Sequence, residues 1–78
     1  MVRIELLSLT ETEAIYKYFP EHETENYGIV SVNRQSGKRI IRQAASGYGS
    51  EYAFHACHEI DRYIAANNFK PKGMAAWY

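Results

Sequence analysis

The chain has 78 residues with no formal net charge, and 46% of them are hydrophobic. This length gives one small domain, and the apolar content is too high for a disordered chain. Proteins that bind nucleic acid or anionic membranes without specificity usually carry excess positive charge, so the charge balance disfavours both classes. We expect a single domain over residues 1–78.

The cysteine content indicates where the protein resides. Cys57 is the only cysteine, so an internal disulfide is impossible. A small domain without disulfides fits a reducing compartment. No apolar run approaches ~20 residues, and no charged start precedes an apolar stretch as in a secretory signal. We expect a cytoplasmic protein that does not associate with membranes.

The first third of the chain predicts two strands, over residues 2–9 and 14–19. In the first, Val2, Ile4 and Leu6 alternate with polar residues, as in a half-buried strand. The second is rich in β-branched and aromatic residues, which favour strands. A polar turn separates them, so the two segments are expected to be consecutive strands of one sheet.

The second strand carries large apolar side chains on both faces, with Tyr16 and Tyr18 on one and Ile15 and Phe19 on the other. One helix covers only one face of a sheet, so we expect some of these rings to be exposed or covered by a partner. Exposed aromatic side chains are typical of protein interfaces. The end of the chain is aromatic too. The predicted protein interface consists of Tyr16, Tyr18, Phe19, Trp77 and Tyr78.

A hairpin is predicted from strands over residues 27–33 and 38–45, joined by a turn in which Gly37 supplies a positive φ. The hairpin is basic, and tyrosines lie nearby in the predicted sheet. One interpretation is that single-stranded nucleic acid stacks on this sheet. The other, favoured by the zero net charge, is a solvated hairpin whose charges protect an edge strand. The basic residues are Arg34, Lys38, Arg39 and Arg42, with Arg39 and Arg42 on opposite faces.

The segment 50–68 has the period of an amphipathic helix. One face is apolar, and it carries Ala53, Ala56, Cys57, Ile60 and Ile64. Ser50 is a candidate N-cap, and Asn67 is suited to the left-handed conformation that ends many helices. A short final strand or extended tail is predicted over residues 74–78.

The glycine-containing loop before the helix suggests a second alternative, an anion site. Gly47, Gly49 and Ser50 precede the helix, where backbone N–H groups can face a phosphate or carboxylate. The loop is too short for a phosphate-binding lysine loop and lacks the third glycine of a dinucleotide fingerprint. Glycine is also common in such connections simply because the chain must turn.

The residues of the helix that resemble metal ligands do not form one site. Helical geometry turns Cys57 toward the apolar face and turns His55 and His58 away from it. The histidines are three residues apart, whereas zinc metalloprotease helices place them four apart. A buried cysteine is most often a small core residue. We predict no catalytic residue, no metal and no cofactor.

Three glutamates alternate in the loop over residues 20–26, and their charge is opposite to that of the hairpin. The two segments would attract each other across a two-fold dimer, although solvated loops of this kind contribute little to stability. A flexible polar loop does not give paired carboxylates the environment that catalysis needs. The loop is therefore a contact to a second copy or to a charged partner, or else it is simply solvated.

The element order predicts an α+β domain with a mostly antiparallel, four- to five-stranded sheet and one helix packed on one face, in the order β-β-β-β-α-β. We predict a small non-enzymatic module for protein interaction or dimerisation, with a homodimer or another protein as partner. The alternative is binding of single-stranded nucleic acid or an anion through the basic hairpin and the glycine loop. An enzyme that uses His55, His58 or Cys57 ranks last.

Overall fold

The computed structural model describes residues 1–77, which form five strands and one helix. In chain order these are β1 (Val2–Leu9), β2 (Glu13–Pro20), β3 (Gly28–Asn33), β4 (Arg39–Gln43), α1 (Glu51–Ala66) and β5 (Lys72–Ala75). The predicted α+β fold and its element order are confirmed. The last strand begins two residues earlier than predicted, and Tyr78 lies outside the described residues.

All the strand pairs are antiparallel, and the order across the sheet is β4-β3-β2-β1-β5. The first four strands form a meander in which each strand pairs with its neighbour in sequence. β5 joins the far side by pairing with β1, so α1 carries the chain from one edge of the sheet to the other. β4 and β5 are therefore the edge strands, and within residues 1–77 neither has a strand on its outer side.

α1 covers one face of the sheet, which we call the inner face. α1 packs on β1, β2, β3 and β5, whereas every residue of β4 is exposed. The buried side chains of the inner face alternate along the strands, as a half-covered sheet requires. The core contains Val2, Ile4, Ala14, Tyr16, Tyr18, Val30 and Val32 of the sheet and Ala53, Ala56, Cys57, Ile60 and Tyr63 of α1.

The two ends of α1 differ in how well the sequence predicted them. Ser50 has helical backbone angles, φ −68° and ψ −10°, and its side chain makes no capping hydrogen bond. Ser50 thus stands at the predicted N-cap position, but its hydroxyl does not cap the helix, because a capping residue needs extended angles to turn its side chain back toward the first turn. Asn67 does end the helix in the left-handed conformation, with φ 50° and ψ 44°. α1 is neither long enough nor apolar enough to cross a membrane.

Tyr16 and Tyr18 are fully buried beneath α1, and both hydroxyl groups have partners. The Tyr16 hydroxyl donates to the carbonyl of Lys70 at 2.8 Å, and the N–H of Ala45 donates to the Tyr18 hydroxyl at 3.1 Å. A Cβ at Gly28 would clash with the Tyr18 ring, so glycine is needed there. The two rings therefore tie the segments beyond β4 and before β5 to the middle of the sheet.

The opposite face of the sheet, which we call the open face, has no helix on it, yet Phe19 is almost completely covered there. The Arg3 guanidinium lies 5.1 Å from the centre of the Phe19 ring, and the Tyr27 ring lies 5.6 Å away. Lys17 lies over Tyr27 in turn, at 4.5 Å. Side chains of the same sheet thus cover the ring that the sequence assigned to a partner.

Candidate functional site

β4 is exposed on both faces as well as along its outer edge. Ile40 lies opposite Ser31 on the open face and is 51% exposed, and Ile41 lies opposite Val30 on the inner face and is 39% exposed. α1 does not extend far enough to cover Ile41. An edge strand with unpaired backbone groups and uncovered apolar side chains is a template for pairing with another strand.

The two arginines of β4 bind carboxylates of the same domain. Arg39 forms an ion pair with Asp61 of α1, and Arg42 forms one with Glu13 of β2 at 2.7 Å. The Nε of Arg42 also donates to the Oγ of the buried Ser31 at 3.1 Å. The two guanidinium groups lie on opposite faces, as predicted. Because each is held by its own partner, they do not project along the edge where they would repel a second strand.

The predicted nucleic-acid surface is not continuous in the structure. Arg34 packs on the Phe69 ring at 4.7 Å and donates to the carbonyl of Thr10. Arg39 and Arg42 are engaged in the ion pairs of β4. Two of the tyrosines that were expected near the hairpin in the predicted sheet, Tyr16 and Tyr18, lie beneath α1 and are not available for base stacking. Nucleic-acid binding remains a prediction that these contacts do not support.

A small cavity of about 160 Å³ lies on the open face beside the hairpin. It is lined by Glu13, Ser31, Asn33, Lys38, Ile40 and Arg42. Within this cavity the Arg42 guanidinium already binds the carboxylate of Glu13. It is therefore not free to bind an incoming phosphate or carboxylate through two hydrogen bonds.

The structure disperses the predicted protein interface. Tyr16 and Tyr18 are in the core, Phe19 is covered on the open face, and Trp77 stacks on His55 with ring centres 3.8 Å apart. A partner would have to displace α1 to reach the first two rings. Tyr78 lies outside the described residues. The large apolar side chains that are exposed are instead Leu7, Leu9, Ile40, Ile41, Phe54 and Met74.

The glycine loop before α1 (residues 46–50) is fixed by side chains from the acidic loop (residues 20–26). Asn26 Nδ2 donates to the carbonyl of Ser46 at 2.7 Å, and the N–H of Ser46 donates back to Asn26 Oδ1 at 2.9 Å. The Tyr48 hydroxyl donates to the carboxylate of Glu23 at 2.8 Å. A carboxylate held beside the loop opposes the approach of an anion, so this contact weakens the predicted anion site.

The thiol and the imidazoles of α1 are kept apart, as the helical geometry predicts. Cys57 is fully buried, and burial raises the pKa of its thiol to about 11. The thiolate, which is the nucleophilic form, is therefore disfavoured at neutral pH. His55 is stacked on Trp77 and His58 is exposed. In the described part of the chain, no three His, Cys, Asp or Glu side chains are placed to hold a metal ion.

A carboxylate and tyrosine cluster joins the acidic loop to α1, and the sequence reasoning missed it. Glu21 accepts from the Tyr52 hydroxyl at 2.6 Å and from the Met1 α-amino group at 3.4 Å. The hydrogen bond from Tyr52 lowers the pKa of Glu21, and the same bond raises the pKa of Tyr52 to about 12. Tyr48 lies in the loop before α1 and Tyr52 in the first turn of α1, and their rings meet edge to face with centres 5.2 Å apart. Nothing local indicates that their partners lie 25 and 31 residues away.

A groove runs along α1, first between α1 and β5 and then between the end of α1 and the segment before β5, and the sequence reasoning missed it too. It consists of two adjacent cavities of about 290 Å³ and 360 Å³ that share Glu59 and Arg62. We call it the α1–β5 groove. The remaining lining residues are His55, His58, Met74, Ala75 and Ala76 in the first cavity and Tyr63, Ala66, Asn68 and Lys70 in the second.

Comparison of the chain with protein-family models, with curated proteins and with solved structures found no match. No residue role can therefore be carried over from a relative. The two sheet edges and the side chains around them are the features of the molecule that point to a function.

Proposed function

We propose that the protein is a non-enzymatic interaction module that pairs with a second copy of itself through the outer edge of β4. The observation that carries the proposal is the combination found in β4: apolar side chains exposed on both faces, and arginines bound to the strand's own domain. Antiparallel pairing about a two-fold axis would join the two sheets into one of ten strands. Strand pairing of this kind satisfies the backbone groups of an open edge.

Symmetry makes the edge self-complementary. An antiparallel pair about a two-fold axis keeps each face of the sheet on the same side, so a residue lies opposite its own copy or a residue an even number of positions away. With the axis at Ile41, Ile41 lies opposite Ile41 of the second copy on the inner face, and Ile40 lies opposite Arg42 of the second copy on the open face. Ile41 then covers its own copy, and Ile40 packs on the aliphatic stem of Arg42. Zero net charge leaves no overall repulsion between the copies. The ion pairs of Arg39 and Arg42 reduce the local repulsion between the two strands.

The area available sets the strength of the proposed dimer. The chain exposes 4829 Å² in total, and a standard stable interface buries roughly 800 Å² on each partner. A pair of five-residue strands buries less than this, so we expect a weak dimer at the low end of interface sizes. Such a dimer forms at high local concentration and dissociates on dilution.

Analytical ultracentrifugation between about 10 µM and 1 mM tests the proposal. The mass should rise from the 9.0 kDa monomer toward twice that value. Ile40→Lys should keep the chain monomeric throughout. Phe54→Lys is the matched control, since Phe54 is 50% exposed but lies on α1, and this variant should dimerise as the wild type does. A monomer at every concentration, or a loss of dimer in both variants alike, would contradict pairing through β4.

A further inference from the structure

We infer that the α1–β5 groove binds an extended acidic peptide, which adds to the outer edge of β5 as a sixth strand. This inference goes beyond the proposed dimer, because it concerns the opposite edge of the sheet and a different ligand. An extended peptide added to a sheet edge gains affinity from main-chain hydrogen bonds and specificity from pockets for alternate side chains. The groove and β5 supply these two elements side by side.

The dimensions of the groove match a short extended segment. β5 has four residues, which at ~3.3 Å per residue present an edge of about 13 Å. From His55 to Ala66 the groove follows α1 for about 16 Å, at ~1.5 Å per residue. Four or five residues of an added strand therefore span it from end to end.

The side chains of β5 leave room on the side facing α1. Gly73 lies opposite Ile4 and Ala75 lies opposite Val2 in the register with β1, so both face the inner side of the sheet. Gly73 is covered by the Tyr63 hydroxyl of α1, whereas beside Ala75 the first cavity of the groove leaves open space between β5 and α1. Alternate side chains of an added strand would point into that space.

Charge decides which side chains the groove accepts. His58, Arg62 and Lys70 line it, and the side chain of Arg62 is 80% exposed. The one carboxylate in the groove, Glu59, is largely covered and accepts from Arg62 at 3.2 Å. Arg62 and Lys70 are two cations against the one carboxylate of Glu59, so the groove has one positive charge in excess, which acidic side chains complement.

The outer side of β5 defines the other half of the pattern. Met74 lies opposite Arg3 on the open face and is 54% exposed. Side chains of an added strand that point away from α1 would lie beside it, and apolar ones would cover it. The occupant is therefore a peptide in which acidic residues facing the groove alternate with apolar residues facing Met74.

The test uses a capped hexapeptide of alternating glutamate and valine, titrated into the ¹⁵N-labelled Ile40→Lys variant so that β4 pairing does not interfere. Amide signals of Lys72–Ala75 and of the α1 residues along the groove should shift in a saturable way. The fluorescence of Trp77, the only tryptophan, should change as well, since Trp77 contacts His55 of the first cavity.

Two control peptides separate the sources of affinity. A lysine and valine hexapeptide should bind at least about tenfold more weakly, because its charge is the same as that of the groove. A glutamate and valine hexapeptide with alternate N-methyl groups should also lose about tenfold, because it cannot donate to the β5 edge. Equal binding of all three peptides would overturn the inference, and so would signal shifts confined to β4.

Matched substitutions locate the site. Arg62→Glu should weaken the acidic peptide by at least about tenfold, and the exposure of Arg62 makes a folding defect unexpected. Lys38→Glu makes the same charge change on the exposed hairpin and should leave the affinity within about twofold. Circular dichroism and the thermal midpoint check that both variants are folded. Equal losses in the two variants would mean that net charge alone attracts the peptide, and the groove assignment would be wrong.

Discussion

The two edges of the sheet differ in what surrounds them, although both have a free outer side in the described chain. β4 has no layer over either face, and its arginines are turned back onto Asp61 and Glu13. β5 has α1 alongside, with small residues toward the helix and a basic groove between them. The first arrangement favours an identical strand, and the second favours a peptide chosen by charge. The neighbours of an edge, more than the edge itself, determine its partner.

Each edge is also connected to the core by a pair of one tyrosine and one glycine. Toward β4, the Tyr18 ring lies over Gly28 and its hydroxyl accepts from Ala45. Toward β5, the Tyr63 hydroxyl lies over Gly73, and within residues 1–77 no neighbouring group meets it with hydrogen-bond geometry. The β4 side is thus held by the hydrogen bond of the Tyr18 hydroxyl. On the β5 side the buried Tyr63 hydroxyl lacks such a bond among the described residues, which lowers the free energy of unfolding. Substitutions in these pairs test the comparison.

The largest effect is expected from Gly28→Ala. The new methyl group would overlap the body of the Tyr18 ring, which has no room to move beneath α1. We expect a loss of about 2 kcal/mol in the free energy of unfolding, measured by urea denaturation. Because Tyr18 holds Ala45, amide exchange should accelerate in β4 more than in β5.

Gly49→Ala is the control for Gly28→Ala. A Cβ at Gly49 would meet no atom within 4 Å, so the free energy of unfolding should change by less than about 0.5 kcal/mol. If Gly28→Ala were equally mild, the Tyr18 ring would be free to move and the rigid connection to β4 would be disproved.

A smaller effect is expected on the β5 side from Gly73→Ala. Its methyl group would meet the tip of the Tyr63 side chain, mainly the hydroxyl oxygen. We expect a loss of about 1 kcal/mol by urea denaturation. Tyr63→Phe removes both the clash and the unpartnered donor, so alone it should be neutral or stabilising by up to about 1 kcal/mol.

The double variant Gly73→Ala with Tyr63→Phe should recover most of the loss, which gives a coupling of about 1 kcal/mol in a double-mutant cycle. Additive effects would show that the alanine acts elsewhere than on the hydroxyl. A large loss from Tyr63→Phe alone would show that the hydroxyl has a partner, and the asymmetry between the two edges would disappear.

The smallest effect concerns pH and belongs to neither edge. The hydrogen bond from Tyr52 lowers the pKa of Glu21 below its ordinary value of 4.5. A carboxylate whose pKa is lowered in the folded protein stabilises the fold above pH 4.5. This stability is lost as the pH falls through the pKa that Glu21 has in the folded protein. Urea midpoints from about pH 7 to pH 3 should therefore fall less in Glu21→Gln than in the wild type.

Glu25→Gln makes the same charge change at an exposed side chain of the same loop and should keep the wild-type pH profile. Identical profiles in all three proteins would mean that the contact between Glu21 and Tyr52 does not persist in solution. Dimerisation through β4 should be unaffected by either substitution, since the cluster lies at the acidic loop.

Local patterns were sufficient for much of the fold. The alternation of Val2, Ile4 and Leu6 predicted β1 with its observed bounds, and the helical period placed Cys57 on the buried face. Asn67 ended α1 as its backbone preference predicted. These features depend on residues a few positions apart, so a single segment contains the information.

Long-range contacts decided the rest, including the candidate sites. Tyr16 and Tyr18 were assigned to an interface because β2 carries large apolar side chains on both faces and one helix covers only one. The fold places both rings on the covered face, where Lys70 and Ala45 supply partners for their hydroxyl groups. Phe19 is covered by Arg3, which is sixteen positions away in sequence but adjacent across the sheet. The groove exists only because the chain returns after α1 to pair with β1. None of these placements follows from the period of one segment.

Because Cys57 is buried, the reactivity of its thiol reports how often the domain opens locally. An alkylating reagent reaches the sulfur only when α1 separates from the sheet, because the side chain is fully covered and its pKa of about 11 keeps it protonated. The rate of Cys57 alkylation therefore reports how often α1 opens, and no fluorescent or spin label has to be attached beforehand. A partner on either flank that slows those events would be detected by the same reaction, even where its binding leaves the fluorescence spectrum unchanged.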